Sequence, residues 1–223
     1  MFLDAYKKAL GVLMKKPFML WGLSLLGALV TIIAGIVCGA IPALAIAVGY
    51  LITAGMAKIY LDGLKEKDVN SEQLFAGFNK NCGRIVGALA WKDLWIIIWS
   101  LVPIVGPVVA VIKSYSYRFV PYIVMTNPEI KATEALKLSM QMTEGKKLQM
   151  FLADLCFFGA IFVVSFVLGL LCAIPYIGIL FALVAFAFVV VVGALSGIFV
   201  GLYQASFYPD EEAAETVEAP EFN

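Results

Sequence analysis

Two long stretches without any Asp, Glu, Lys or Arg constrain this sequence more than any other feature. They cover residues 18–57 and 155–209, which are 40 and 55 residues long. A helix needs about 20 apolar residues to cross the roughly 30 Å hydrocarbon core of a bilayer, so each stretch can hold two spans. An Ile-Pro pair, Ile41-Pro42 or Ile174-Pro175, lies inside each stretch. The sequence therefore predicts two helical hairpins in a membrane.

The composition agrees with this interpretation and excludes several classes of function. Hydrophobic residues make up 62% of the chain and charged residues 14%, against about 25% charged in an ordinary soluble domain. There is no histidine and there are four cysteines, which argues against histidine acid–base catalysis, the usual zinc sites and a disulfide framework. Neither a nucleophile elbow nor a phosphate loop is present. We expect a protein that is not an enzyme, without catalytic residues, metal, cofactor or nucleic-acid partner.

The third uncharged stretch, residues 94–112, permits two interpretations. It is either one span or the inner arms of a third hairpin that turns between Pro103 and Pro107. A single span would place the lysines from Lys131 to Lys147 opposite the lysine-rich N-terminus, against the positive-inside bias. A hairpin places 14 of the 16 basic residues on one side. We therefore predict an all-α polytopic bundle of six transmembrane helices in three hairpins, with both termini in the cytoplasm.

A cytoplasmic amphipathic helix is predicted before each hairpin. The apolar face of the first is formed by Phe2, Leu3, Tyr6, Leu10 and Leu13. The second begins at Ser71. In the third, Asn127 is suited to cap the helix, Pro128 to its first position and Gly145 to its end. The chain then divides into three similar segments, 1–64, 70–126 and 127–208. These are either a true repeat or a coincidence, because interfacial helices are common before spans.

The ends of the chain differ in charge. Residues 1–208 are predicted to form one integral membrane domain, and residues 209–223 an acidic, disordered cytoplasmic tail with six carboxylates. Without that tail the chain is basic. We therefore expect the lipid bilayer itself as a partner, with anionic lipids at the cytoplasmic face.

Four charged residues fall inside the predicted second hairpin, and they are the candidate polar site. They are Lys92, Asp93, Lys113 and Arg118. Asp93 and Arg118 lie at matched depth, each roughly 15 Å along its arm from the turn, so they are predicted to pair. The pair either fixes the register of the hairpin or, with the two lysines, lines a polar path or binds an anion. A kinked arm that keeps the charges at the interface is the third possibility.

The last predicted span carries a stripe of small residues. Gly193, Gly197, Gly201 and Ala205 recur every four residues, a spacing that lets another helix approach closely. The partner is either a helix of the same chain or a second copy in a homodimer.

A set of short motifs resembles the bacterial integral membrane family known as domain of unknown function 975. The resemblance extends from about Leu74 to Tyr208 and is strongest between Lys113 and Phe151. Its motif residues are Lys113, Tyr115, Tyr117, Tyr122, Asn127, Pro128, Ser139, Gly145, Lys146, Pro175, Tyr176, Phe207 and Tyr208. The resemblance implies several spans in a bacterial cytoplasmic membrane and no established activity.

Two functions follow from these observations. The first is a non-enzymatic scaffold or accessory protein of the cell envelope, which docks a membrane protein partner through its cytoplasmic helices and tail. The alternative is a small solute or ion transporter or channel that uses the charges of the second hairpin.

Overall fold

The structure, a computed structural model, describes residues 2–37, 41–79, 81–127, 129–174 and 178–209. In these ranges every regular element is helical. A single 3-10 turn, Ala76–Phe78, follows α4. The α-helices are α1 (Phe2–Lys15), α2 (Pro17–Val37), α3 (Pro42–Leu64), α4 (Ser71–Leu74), α5 (Cys82–Ser100), α6 (Gly106–Ser116), α7 (Val120–Thr126), α8 (Ala132–Met142), α9 (Lys147–Cys172) and α10 (Gly178–Ala205).

Four helices, α2, α3, α9 and α10, are long and apolar enough to cross a membrane. They correspond to the two long uncharged stretches, and they identify the chain as membrane-associated. The predicted second hairpin differs in both arms. Helix α5 contains three charged residues, while α6 has 11 residues and is about 16 Å long, roughly half of the hydrocarbon core.

The buried core lies toward one end of the long helices. Eight residues between Leu51 and Gly63 of α3 are buried, as are Met150, Ala153 and Asp154 near the start of α9 and five residues between Ile198 and Ala205 of α10. Helix α3 is central, because α2, α5, α7 and α10 all pack against it. The other halves of α9 and α10 expose large apolar side chains, as lipid-facing surfaces do.

The same end of the bundle carries many of the lysines, and we call it the lysine-rich end. The residues just before α2 meet those just after α3, because Lys15 pairs with Glu66 and Lys16 lies 3.1 Å from Asp68. The start of α9 meets the end of α10, where Lys146 Nζ donates to the carbonyl oxygen of Phe207 at 3.4 Å. The Lys15 ammonium also holds the pKa of Glu66 below its ordinary value.

Helix α1 forms where it is predicted, and part of its predicted apolar face, Tyr6 and Leu13, packs on the bundle. Ala5, Ala9 and Leu13 are buried, whereas Leu3 and Leu10 are more than half exposed. Small residues face the bundle because α1 lies against α10 and α9. Leu3 and Leu10 are left on the outer surface.

The segment after Ser71 is shorter than the predicted amphipathic helix. It forms one α-helical turn and a 3-10 turn, with Leu74 fully buried against α3. Close approach depends on glycine, because a Cβ on Gly55 would overlap the carbonyl oxygen of Leu74. Gly77 similarly lies against the backbone of Leu51.

The predicted cap of the third amphipathic helix is wrong. Helix α8 begins at Ala132 after Lys131, whose backbone N–H donates to the Glu134 carboxylate at 3.3 Å. Asn127 instead ends α7, because its N–H donates to the carbonyl oxygen of Ile123 at 2.8 Å. Gly145 follows α8 with a φ of 73°, a left-handed conformation that glycine adopts without strain. Pro128 lies outside the described residues.

The small-residue stripe of α10 packs within the chain only at its lysine-rich end. Gly201 and Ala205 are buried, and a Cβ on Gly201 would overlap the ring of Tyr60. Cβ atoms at Gly193 and Gly197 would meet nothing within 4 Å. The contact with another helix of the chain is therefore limited to half of the stripe, and a homodimer through the other half stays a prediction.

Replacing Gly55 by Ala tests the packing of the 71–78 segment on α3. The added methyl group must push Leu74 away, so we expect a loss of about 1–3 kcal/mol in stability. Gly22→Ala is the matched control, because its Cβ meets nothing within 4 Å in α2. Thermal unfolding in detergent measures both. Equal melting temperatures for the two variants would contradict the close approach.

Candidate functional site

The most polar cluster in the described core centres on the Asp154 carboxylate. Its Oδ2 accepts a hydrogen bond from Arg118 Nη2 at 2.6 Å and another from the Tyr115 hydroxyl at 2.9 Å. The Tyr203 hydroxyl donates to Oδ1. Asp154 lies seven residues into α9, about 10 Å from the start of that helix.

Arg118 and Asp154 are both largely shielded. The side chains are 16% and 11% exposed, and the guanidinium lies 4.3 Å above the centre of the Tyr115 ring. Stacking on a ring and pairing with a carboxylate are the two interactions that suit a planar guanidinium best. The cluster therefore joins α6, the connection that follows it, α9 and α10.

Helix α1 reaches the same cluster through Tyr6. The Tyr6 hydroxyl donates to the carbonyl oxygen of Ala153, and its ring makes an edge contact with the ring of Tyr203. Burial, followed by nearby Cys156 and Asp154, raises the pKa of Tyr6 to about 12. The hydroxyl thus stays a donor throughout the physiological pH range.

The predicted Asp93–Arg118 pair is replaced by two separate contacts. Asp93 accepts from the Tyr50 hydroxyl at 2.6 Å and lies 3.1 Å from its neighbour Lys92, whereas Arg118 pairs with Asp154. Asp93 and Arg118 can meet at matched depth only if both arms are continuous, but the second arm breaks before Arg118. The break directs Arg118 toward α9.

Lys113, the fourth candidate, lies apart from both acids. Its ammonium lies 3.7 Å from the Met140 sulfur and 5.7 Å from the centre of the Tyr117 ring. The predicted polar site is therefore divided into three places rather than assembled in one.

The break between α6 and α7 is stabilised by α8. Ser139 Oγ donates to the carbonyl oxygen of Ser116 at 2.8 Å and accepts from the N–H of Phe119 at 3.2 Å. Thr143 Oγ1 also donates to the Ser116 carbonyl, at 3.3 Å. Irregular backbone inside a membrane protein needs such partners, because lipid offers none. Ser139 thus has a structural role that its position in the family-like motif did not reveal.

The aromatic members of that motif pack at the lysine-rich end. Tyr122 is buried, its hydroxyl lies 3.4 Å from the Gly201 carbonyl oxygen, and its ring contacts those of Phe119 and Tyr208. Phe207 is buried as well. Pro175 and Tyr176 lie outside the described residues.

Asp154 and Tyr203 are the functional candidates that sequence reasoning missed. Counting uncharged stretches treated Asp154 as the boundary of a span, although Met150, Phe151, Leu152 and Leu155 surround it with apolar residues. That apolar setting was the available signal. Within the described ranges, no group of three acidic, cysteine or histidine side chains is placed to hold a metal ion.

Comparison with known proteins confirms part of the resemblance. Residues 93–184 match the model of the family described as Protein of unknown function (DUF975). The match is narrower than the predicted range of about 74–208, and it includes Arg118, Ser139 and Asp154. No curated protein and no solved structure matches the chain.

A double-mutant cycle on Arg118→Gln and Asp154→Asn tests the cluster. Each single change leaves a shielded polar group without its partner, so we expect each to destabilise the protein by about 3 kcal/mol. The coupling energy should be about 1–3 kcal/mol in denaturation measured in detergent. The matched cycle pairs Arg118→Gln with Asp93→Asn and should be additive to within about 0.5 kcal/mol. Coupling in the second cycle together with additivity in the first would show that Arg118 pairs with Asp93 and not with Asp154.

Proposed function

We propose that this protein is a multi-pass protein of a bacterial cytoplasmic membrane that acts as a non-enzymatic scaffold or accessory protein of the cell envelope. The observation that carries the proposal is that the Asp154 carboxylate is fully engaged in contacts within the protein. Three donors from two other helices and a connection engage its carboxylate. The shielded charges thus hold the helices together, and the surfaces of the lysine-rich end are left for recognition.

A cleft at that end is suited to docking. It has a volume of about 350 Å³ and lies between α1, the end of α3 and the end of α10. Lys8, Lys15 and Lys65 line it, and so does Pro209, after which the acidic terminal residues follow in the sequence. A basic cleft that is followed directly in the sequence by acidic residues favours a partner with charges of both signs.

We further propose six crossings with both termini in the cytoplasm. The contacts at the lysine-rich end support this, because they bring the start of α2, the end of α3, the start of α9 and the end of α10 to one side. The turn between α5 and α6 would then lie on the opposite side, with α7 extending the path of the short α6.

Transport is the second candidate, and one feature favours it. An open groove in the bundle is lined by Arg118 and Tyr50, and Tyr50 binds Asp93. Asp93 does not itself line the groove, and both oxygens of its carboxylate are engaged, by Tyr50 and Lys92. We therefore rank the accessory function first.

Single-cysteine labelling tests the topology. In a chain whose four cysteines are replaced by Ala, Ile104→Cys should react with a membrane-impermeant maleimide in intact cells, because Ile104 is 92% exposed in the α5–α6 turn. Glu144→Cys, between α8 and α9, should react only after the membrane is opened. If Ile104→Cys also requires opening, the second hairpin does not cross the membrane.

Native mass spectrometry of the protein released gently from its host membrane tests the accessory function. We expect a stoichiometric protein partner that is lost when the chain is ended at Pro209 and kept in the Asp93→Asn variant. Proteoliposomes provide the opposing measurement. Solute or ion flux that Asp93→Asn abolishes, with no partner in the mass spectrum, would replace the accessory function by transport.

A further inference from the structure

A long groove runs along one side of the bundle. It has a volume of about 720 Å³ and is formed by α2, α3, the region around Arg118 to Tyr122, and α10. Along α3 it extends from Ala45 to Tyr60, sixteen residues that span about 22 Å. One leaflet of the hydrocarbon core is about 15 Å deep, so an acyl chain fits along the groove.

The walls of the groove are apolar for most of its length. Helix α2 contributes only small residues, which keep the groove wide: Ser24, Gly27, Ala28, Thr31 and Gly35. Three of the hydroxyls along these walls already have acceptors within the protein. Thr31 donates to the carbonyl oxygen of Gly27 and Thr53 to that of Gly49, while Tyr50 donates to Asp93.

The lysine-rich end of the groove has the opposite character, because donors without acceptors gather there. Arg118, Tyr60 and Gln204 all line that end. Arg118 uses Nη2 for Asp154, whereas its Nη1 is buried beneath the surface and has no hydrogen-bond partner among the described residues. Asp154 in turn accepts from two tyrosines, so it gives Arg118 a single-point contact rather than a two-point one.

We infer that this groove binds an anionic phospholipid of the surrounding bilayer, with its phosphate at Arg118 and one acyl chain along α2 and α3. Charge and depth both support a lipid as the occupant. A guanidinium binds phosphate well, and Tyr60 and Gln204 add neutral donors beside it. Arg118 is hydrogen-bonded to Asp154, about 10 Å from the start of α9, close to where headgroups meet acyl chains.

The site is independent of the accessory function, since a bound lipid is compatible with either a scaffold or a transporter. It also differs from the general attraction of lysines to an anionic leaflet. That attraction involves exposed charges and many lipids, whereas the groove offers one place with a defined shape.

Native mass spectrometry in detergent tests the site. The added lipid is palmitoyl-oleoyl phosphatidylglycerol in one experiment and palmitoyl-oleoyl phosphatidylcholine in the other. We expect the full chain to retain one phosphatidylglycerol with about tenfold higher affinity than phosphatidylcholine. Gly49→Leu should weaken binding of both lipids about tenfold, because the new side chain fills the groove, where a Cβ at this position meets only the Thr31 methyl group at 4.0 Å. Gly169→Leu is the matched control on α9, exposed and away from the groove, and should bind as the unmodified protein does.

Tyr60→Phe tests the headgroup contact without disturbing the Arg118–Asp154 pair. It keeps the ring that packs on Gly201 and removes only the hydroxyl, so we expect the preference for phosphatidylglycerol to fall about threefold while phosphatidylcholine binding is unchanged. Tyr117→Phe, outside the groove, is its control. Equal affinity for the two lipids, or unchanged binding in Gly49→Leu, would overturn the inference. A lipid-free dimer that dissociates in the Gly49→Leu variant would also overturn it, because the groove would then be a contact between two copies of the chain.

Discussion

The arrangement of the helices depends on one shielded carboxylate. Asp154 accepts from Arg118, Tyr115 and Tyr203, which belong to three different parts of the chain. In lipid, apolar helices gain little by leaving one apolar environment for another, so specific polar contacts and close packing must define their positions. A charge removed from water is costly unless it is paired. This contact therefore favours the one arrangement of the helices in which Arg118 meets Asp154.

The break between α6 and α7 follows from the same requirement. A continuous helix would carry Arg118 in a direction set by its own periodicity, whereas the turn at Tyr117–Phe119 lets it meet α9. The turn leaves backbone groups without helical partners, and Ser139 of α8 and Thr143, which directly follows α8, supply them. A short polar helix thereby stabilises the turn that brings Arg118 to Asp154.

Sequence reasoning located the apolar helices well but not the polar contacts. Uncharged stretches identify α2, α3, α9 and α10 because the bilayer imposes a length that the sequence must satisfy. Counting uncharged residues placed Asp154 at the boundary of a span. Such a count cannot distinguish a charge that ends a span from a charge that is paired inside the span. The partner of Arg118 also depended on the α6–α7 break, which rests on contacts with α8, a helix farther along the chain. Packing details such as Gly55 against Leu74 depend on tertiary approach and have no periodic signature.

The division between the two ends of the bundle links these findings to function. At the lysine-rich end, α1, the 71–78 segment, α7 and α8 surround the long helices and build a protein core with buried polar groups. Toward the other end, α9 and α10 have mostly exposed apolar surface and depend on lipid for their surroundings. The groove along α2 and α3 connects the two environments, with unpaired donors at its polar end and apolar walls beyond. A phospholipid has the same arrangement, a charged headgroup followed by apolar chains. The polar and apolar parts of the groove therefore match the headgroup and acyl regions of the bilayer.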